Sequence, residues 1–195
     1  MSSVDPSIIL TSRFEAALVF ANQLHRQQMR KGSGVPYMSH LLSVAALVLE
    51  DGGSEDEAIA ALLHDAVEDQ GGTATRHVIY QQFGNMVCTI VDGCTEIAAI
   101  PHPPWRERKE AYLSNLCQAS PAVVRVSLAD KLHNARSILA DYHRQGSAIW
   151  QRFKTGKPGT LWFYNSFLDI VRDKTQSPMV KELENVITVL RSQHP

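Results

Sequence analysis

Six consecutive residues constrain this chain more than any other stretch: HDAVED, His64 to Asp69. They follow the apolar run Ala61, Leu62, Leu63, and Ala66 and Val67 stand between the polar members. Ser54 with Glu57 forms a capping box, so one helix is expected to open there and carry all six residues. On a helix, His64 pairs with Glu68, and Asp65 with both Glu68 and Asp69, on a single face. Acids and an imidazole in one stripe of an apolar helix make a poor core. They suit a metal ion with carboxylates beside it. Glu68 and Asp69 are more carboxylate than one small cation needs. Their expected role is to position or deprotonate an attacking water and to protonate a leaving oxygen. A solvated helix end is the alternative, but acids at a C-terminus oppose the macrodipole.

The rest of the chain reads as helices. Phe14, Ala17, Leu18, Ala21 and Leu24 recur at helical spacing after Ser12, which with Glu15 forms a second capping box, and this helix is expected to reach about Met29. RKGSGVPY, 30–37, is a loop, and Ser39 can cap a helix from His40 to about Glu50. Short helices are expected over 74–83 and 85–97 with Gly84 between them, and the proline-rich 100–105 is a connection. Further helices are expected over 106–118, from Pro121 through Tyr142, and over 160–173 and 178–192. Val123, Val124 and Val126 could open a strand, but the helical continuation and the lack of a partner strand decide against it. The expectation is an all-α bundle forming one domain over 1–195, with its core between about residues 12 and 175.

Two further ligands for a cation are available from other helices. His40 opens the helix before HDAVED, and Asp130 lies in SLADKLHN within an otherwise apolar helix. The order is then His40, His64, Asp65, Asp130. Taken singly, His40 could be a capping residue, and Asp130 could be a core carboxylate paired with Lys131 or Arg125. Asp130, Asn134 and Ser137 form a polar stripe at i, i+4 and i+7, suited to a sugar or base, with Lys131 beside it for a phosphate. Arg30 and Lys31 can hold phosphate or stack on a base. His133, about 100° around the helix from Asn134, is read as packing.

Composition excludes several classes. The net charge of -1 gives no basic excess for nucleic-acid binding. No apolar run reaches the length of a membrane span. Cys88, Cys94 and Cys117 show no CxxC spacing and read as reduced thiols of a cytoplasmic protein.

RKGSGVPYMSH, LLHDAVED, FG…VDGCTEI, ERKEAYL and SLADKLHNARSI, in that order, resemble the hydrolase domain of RelA/SpoT proteins, most of all the small stand-alone alarmone hydrolases. The resemblance implies an all-helical HD fold, one Mn²⁺, and hydrolysis of the 3′-diphosphate of ppGpp or pppGpp to GDP or GTP and pyrophosphate. It implies His40, His64, Asp65 and Asp130 as metal ligands and Glu68 and Asp69 as the catalytic acid pair. Nucleotide contacts fall on Arg30, Lys31, Lys131, Asn134, Ser137 and Tyr164. The RKGSGVPY loop is one residue longer than the common RKSGEPY-like form, and Ser137 stands where threonine is frequent. The synthetase domain of the long proteins has no counterpart here, so hydrolysis and not synthesis is expected. The competing expectation is an HD phosphohydrolase acting on another nucleotide.

Overall fold

A computed structural model describes residues 9–96 and 103–193. Residues 1–8 of the N-terminal leader, His102 with the first half of the 100–105 connection, and His194 lie outside the described residues. The described chain is all-α, and its one strand-like pairing is an isolated antiparallel bridge between Met29 and Pro36. None of its helices is long and apolar enough to cross a membrane.

The centre is α3, Glu55–Leu63. Ala58 to Leu63 are all fully buried, as a helix that is apolar all round must be. It is enclosed by α1 (Ser12–His25), α2 (Met38–Glu50), α5 (Gly72–Cys94) and α7 (Pro121–Gln145). The capping box starts α3 as expected: Ser54 Oγ accepts from Glu57 N, and Glu57 Oε2 accepts from Ser54 N at 2.7 Å. Between α5 and α7 runs α6, Trp105–Gln118. After α7, a 3-10 segment (Gly146–Arg152) leads into α8, Gly156–Lys174. The last helix, α9 (Pro178–Ser192), packs Leu183, Ile187 and Leu190 toward α7 and α8.

The HDAVED stretch is not one helix. α3 stops at Leu63, Asp65 sits at φ -99°, ψ -2°, and a four-residue α4, Ala66–Asp69, follows. The i, i+4 face argument therefore does not describe the site, and Glu68 and Asp69 stand in the single turn of α4. Local end signals were also displaced in places. Thr11 caps α1, its Oγ1 accepting from Arg13 N, because its own N–H is held by Glu55 of the central helix. α1 ends at His25, α2 starts two residues before His40, and α8 begins at Gly156, within the glycine-rich stretch. Gly84, at φ +88°, kinks α5 where two helices were expected to part.

One ionic junction fixes the angle between the helices that matter most. Arg125 of α7 donates to Asp51 Oδ2 at 2.9 Å and to Glu57 Oε1, and Ser177 Oγ donates to Asp51 Oδ1. It joins the end of α2, the start of α3, the body of α7 and the entry to α9. Both carboxylates are less than a tenth exposed. Arg125→Ala leaves them buried without a counter-charge. A loss of about 3 kcal/mol in unfolding free energy is expected, at the low end for a broken buried pair because the guanidinium is partly solvated. Urea denaturation followed by circular dichroism measures it.

Candidate active site

Three helices bring four predicted residues to one point. His40 comes from the first turn of α2, His64 and Asp65 from the break after α3, and Asp130 from the middle of α7. His40 Nε2 lies 3.3 Å from Asp130 Oδ1 and 3.7 Å from Asp65 Oδ2. His64 Nε2 lies 3.0 Å from Asp65 Oδ2 and 3.7 Å from Asp130 Oδ1. One ligand atom from each of His40, His64 and Asp65 falls within a 4.8 Å compass.

The two imidazoles test whether a cation fits. Both Nε2 atoms are buried and have no hydrogen-bond partner, although carboxylate oxygens surround them. A buried polar atom left unpaired costs about 1–3 kcal/mol. The outer ring nitrogens explain the arrangement. His64 Nδ1 donates to Ala61 O at 2.8 Å, which leaves a bare lone pair on Nε2. His40 Nδ1 meets His133 Nδ1 at 2.8 Å. Burial, His40 and Arg30 push the His133 pKa down to about 4, so this ring is neutral. With His133 Nδ1 as the acceptor of that bond, His40 carries its proton on Nδ1 and presents a bare Nε2, the tautomer a cation at the centre selects. Two inward lone pairs and two carboxylates are a mixed donor set suited to a divalent cation. Without a cation, burial favours neutral His64, but Asp65 and Asp130 outweigh it and hold its pKa well above the usual range. Against burial, His64 and His40 keep the Asp65 carboxyl well below the usual range, and Lys131 with the two imidazoles does the same for Asp130.

Hydrogen bonds from neighbouring side chains fix the carboxylates. Tyr37 donates its hydroxyl to Asp65 Oδ2. Asp130 Oδ2 accepts from Lys131, and its Oδ1 accepts from the Asn134 amide. Asn134 Oδ1 in turn accepts from Arg30 at 2.8 Å, which links the 30–37 loop to the centre. Lys131 is thus the ionic partner of Asp130, while Arg125 is engaged elsewhere. Glu68 and Asp69 are exposed beside the cluster. Although Glu68 as a whole is exposed, the protein packed around its carboxyl and the nearby Glu96 raise its pKa, while Glu96 N donates to Glu68 Oε2 at 3.3 Å.

The centre adjoins a cleft of about 790 Å³, lined in part by Lys31, Asn134, Ser137 and Tyr164. Tyr164 is buried in its wall, and Ser137 Oγ donates back to His133 O at 2.9 Å. Gly32, at φ +82°, lets the 30–37 loop close on Arg152, since an added Cβ would lie 2.8 Å from Arg152 Nε. The chain has no basic excess, yet eight lysines and arginines line this cleft against one carboxylate, Asp141. Sequence reasoning missed five of them. Arg108 and Lys109 reach in from α6 and pair with Glu96. Arg144 and Arg152 share Asp141, and Lys154 stands nearby. The ERKEAYL segment carried a signal for the first two, but its charges read equally well as a solvated helix face. His133 was read as packing, and a long-range bond between two rings leaves no trace in local spacing.

The family model described as HD domain matches residues 17–161. The chain belongs to the HD-domain family. Its likeness within that family is to RelA/SpoT-type proteins. It is 39% identical over 139 residues to the guanosine-3′,5′-bis(diphosphate) 3′-pyrophosphohydrolase MESH1 of Xenopus tropicalis, covering 70% of this chain and 72% of that one. It is 40% identical over 125 residues to the GTP pyrophosphokinase rsh of Brucella melitensis, covering 63% of this chain and 16% of that one. The enzyme named guanosine-3′,5′-bis(diphosphate) 3′-pyrophosphohydrolase in Aquifex aeolicus is 34% identical, and the match spans 17% of its length. The chain thus spans about a sixth of these two bacterial relatives. In fold it matches a solved metazoan orthologue of SpoT with a TM-score of 0.77 at 24% identity, covering 94% and 98% of the two chains. A Listeria monocytogenes structure matches at 0.69 with 26% identity, covering 78% and 99%.

His133→Phe removes the ring nitrogen that meets His40 Nδ1. Affinity for a divalent cation is expected to fall roughly 10- to 100-fold, as when a metal-ligating imidazole loses the partner of its other ring nitrogen. Isothermal titration with Mn²⁺ reads the change directly.

Proposed function

We propose that this chain hydrolyses the 3′-diphosphate of guanosine 3′,5′-bis(diphosphate), and of its 5′-triphosphate analogue, to GDP or GTP and pyrophosphate. We further propose Mn²⁺ as its metal, held by His40, His64, Asp65 and Asp130. The observation that carries this reading is the junction of two unpaired inward Nε2 atoms with a cleft lined by excess positive charge. A nucleotide with two diphosphates is the kind of polyanion such a cleft accommodates. The activity for which the Xenopus relative is named, most of whose length is matched, agrees with it.

A bound divalent cation supplies Lewis acidity, lowering the pKa of water and drawing charge from a phosphoryl oxygen. The chain's residues do the rest. Glu68 and Asp69 take the proton of the water that attacks the phosphorus on the 3′ oxygen, and return one to that oxygen as the P–O bond breaks. The raised pKa of Glu68 suits the proton-carrying half of this exchange. Lys131, Arg30 and Lys31 offset the charge on the diphosphate under attack. Asn134, Ser137 and Tyr164 hold the nucleoside. Three free cysteines are compatible with a cytoplasmic setting.

Purified protein incubated with ppGpp and Mn²⁺ should release GDP and pyrophosphate, and a chelator should stop it. Release of single phosphate, or no turnover with metal bound, overturns the substrate. Asp65→Ala should lose bound metal and turnover together. Glu68→Gln should keep the metal and lose roughly 100- to 10,000-fold in kcat, the range for a general acid or base. Metal analysis with product chromatography separates the two.

A further inference from the structure

One buried imidazole lies outside the metal cluster. His25, in the last turn of α1, is 1% exposed. Its Nδ1 lies 2.7 Å from Gln28 Oε1, and Gln70 Nε2 reaches the same oxygen. The other end of the Gln28 amide donates to Asp69 Oδ2 at 2.7 Å. An amide oxygen only accepts, so His25 carries its proton on Nδ1. Its Nε2 is then a bare lone pair, buried and without a partner. Burial lowers the His25 pKa, which keeps the ring neutral and the proton on that one nitrogen.

The same ring stacks on Tyr37, with centroids 5.4 Å apart and planes at 19°. Gln28 and Tyr37 are the two ends of one loop. Tyr37 N donates to Gln28 O at 2.9 Å, Gln28 N donates to His25 O at 2.9 Å, and Met29 bridges Pro36 between them. This base presents two donors, the Gln28 amide to Asp69 and the Tyr37 hydroxyl to Asp65. No other side chain among the described residues bonds the Asp69 carboxylate. Asp69 is exposed and sits on a helix of four residues, so its own backbone does little to hold its rotamer.

We infer that Gln28, oriented by His25, is the positioning residue that aims the Asp69 carboxylate at the reacting centre. The inference rests on the reading that Asp69 takes part in the hydrolysis. Gln28 is neutral, so it restrains the carboxylate without cancelling its charge. His25 acts one step further out. Its Nδ1–H and the Gln70 Nε2–H occupy the Gln28 oxygen, so the amide cannot flip and present that oxygen to Asp69. An oxygen there would repel the carboxylate.

The test is a double-mutant cycle on Gln28→Met and Asp69→Asn, with kcat and KM for ppGpp, bound Mn²⁺ and thermal midpoint read for each. Gln28→Met keeps the side-chain length and removes the donor. It should lower kcat about 10- to 100-fold, the cost of a misplaced group, with KM and metal content near the parent's. In the Asp69→Asn background it should change kcat by less than about twofold, because the two act as one unit. His25→Phe keeps the stack on Tyr37, should lower kcat less, and should add nothing to Gln28→Met. An equal drop in kcat in both backgrounds, or a drop that follows lost metal or a lowered midpoint, overturns the inference. A second readout needs no turnover. The Gln28 side-chain amide protons should resonate apart in the parent and move together in Asp69→Ala. If the parent fails to cleave ppGpp, the functional reading falls, and the amide protons still decide the contact: unmoved resonances sink it.

Discussion

Two imidazole nitrogens, buried and unpaired, face two carboxylates across a gap of 3.0 to 3.7 Å. That arrangement is unfavourable unless a positive charge sits among them. That charge is a protonated His64 in the metal-free form or a bound cation, and the surrounding residues hold the four side chains in place for it. Ala61 O and His133 meet the outer ring nitrogens, Tyr37 and Asn134 hold the carboxylates, and Arg125 locks α2, α3 and α7 at the angle where the four residues meet. The central helix is buried all round, so it cannot slide to relieve the contact.

The 28–37 loop converts that centre into a site. It touches the cluster at three places: Gln28 on Asp69, Tyr37 on Asp65, and Arg30 on Asn134 and through it Asp130. An insertion near its glycine tip leaves these contacts intact, because all three come from the loop's ends. The tip instead closes on Arg152, at the far side of the cleft. The loop therefore spans from the metal end to the basic rim, and a polyanion in the cleft would meet it along its length.

Charge distribution follows the same division. Acidic residues on the outer surface balance the basic ones in sum, and the net charge of -1 conceals their separation. Inside the cleft only Asp141 opposes eight cations, and it is already shared by Arg144 and Arg152. Glu96 holds Arg108 and Lys109 at the α6 edge while sitting beside Glu68. One acid thereby orients two cations and disfavours ionisation of a third group, Glu68.

The sequence by itself determined the helices and the identities of the cluster. Helical periodicity, the Ser54 cap, Pro121 in a first turn and the glycine pair after HDAVED are local signals, and local signals act through neighbours in the chain. The order His40, His64-Asp65, Asp130 was legible because each polar residue interrupts an apolar run. Tertiary structure alone decided how these residues meet. The break at Asp65, the Thr11 cap set by Glu55, the His40–His133 bond and the Gln28–Asp69 bond all join residues that no spacing rule connects. The basic cleft is likewise a product of packing. Cations from the 30–37 loop, α6, α7 and the segment after the 3-10 turn face one volume only once α7 is locked against α2 and α3, and a helical charge pattern reads the same whether its face meets water or a ligand.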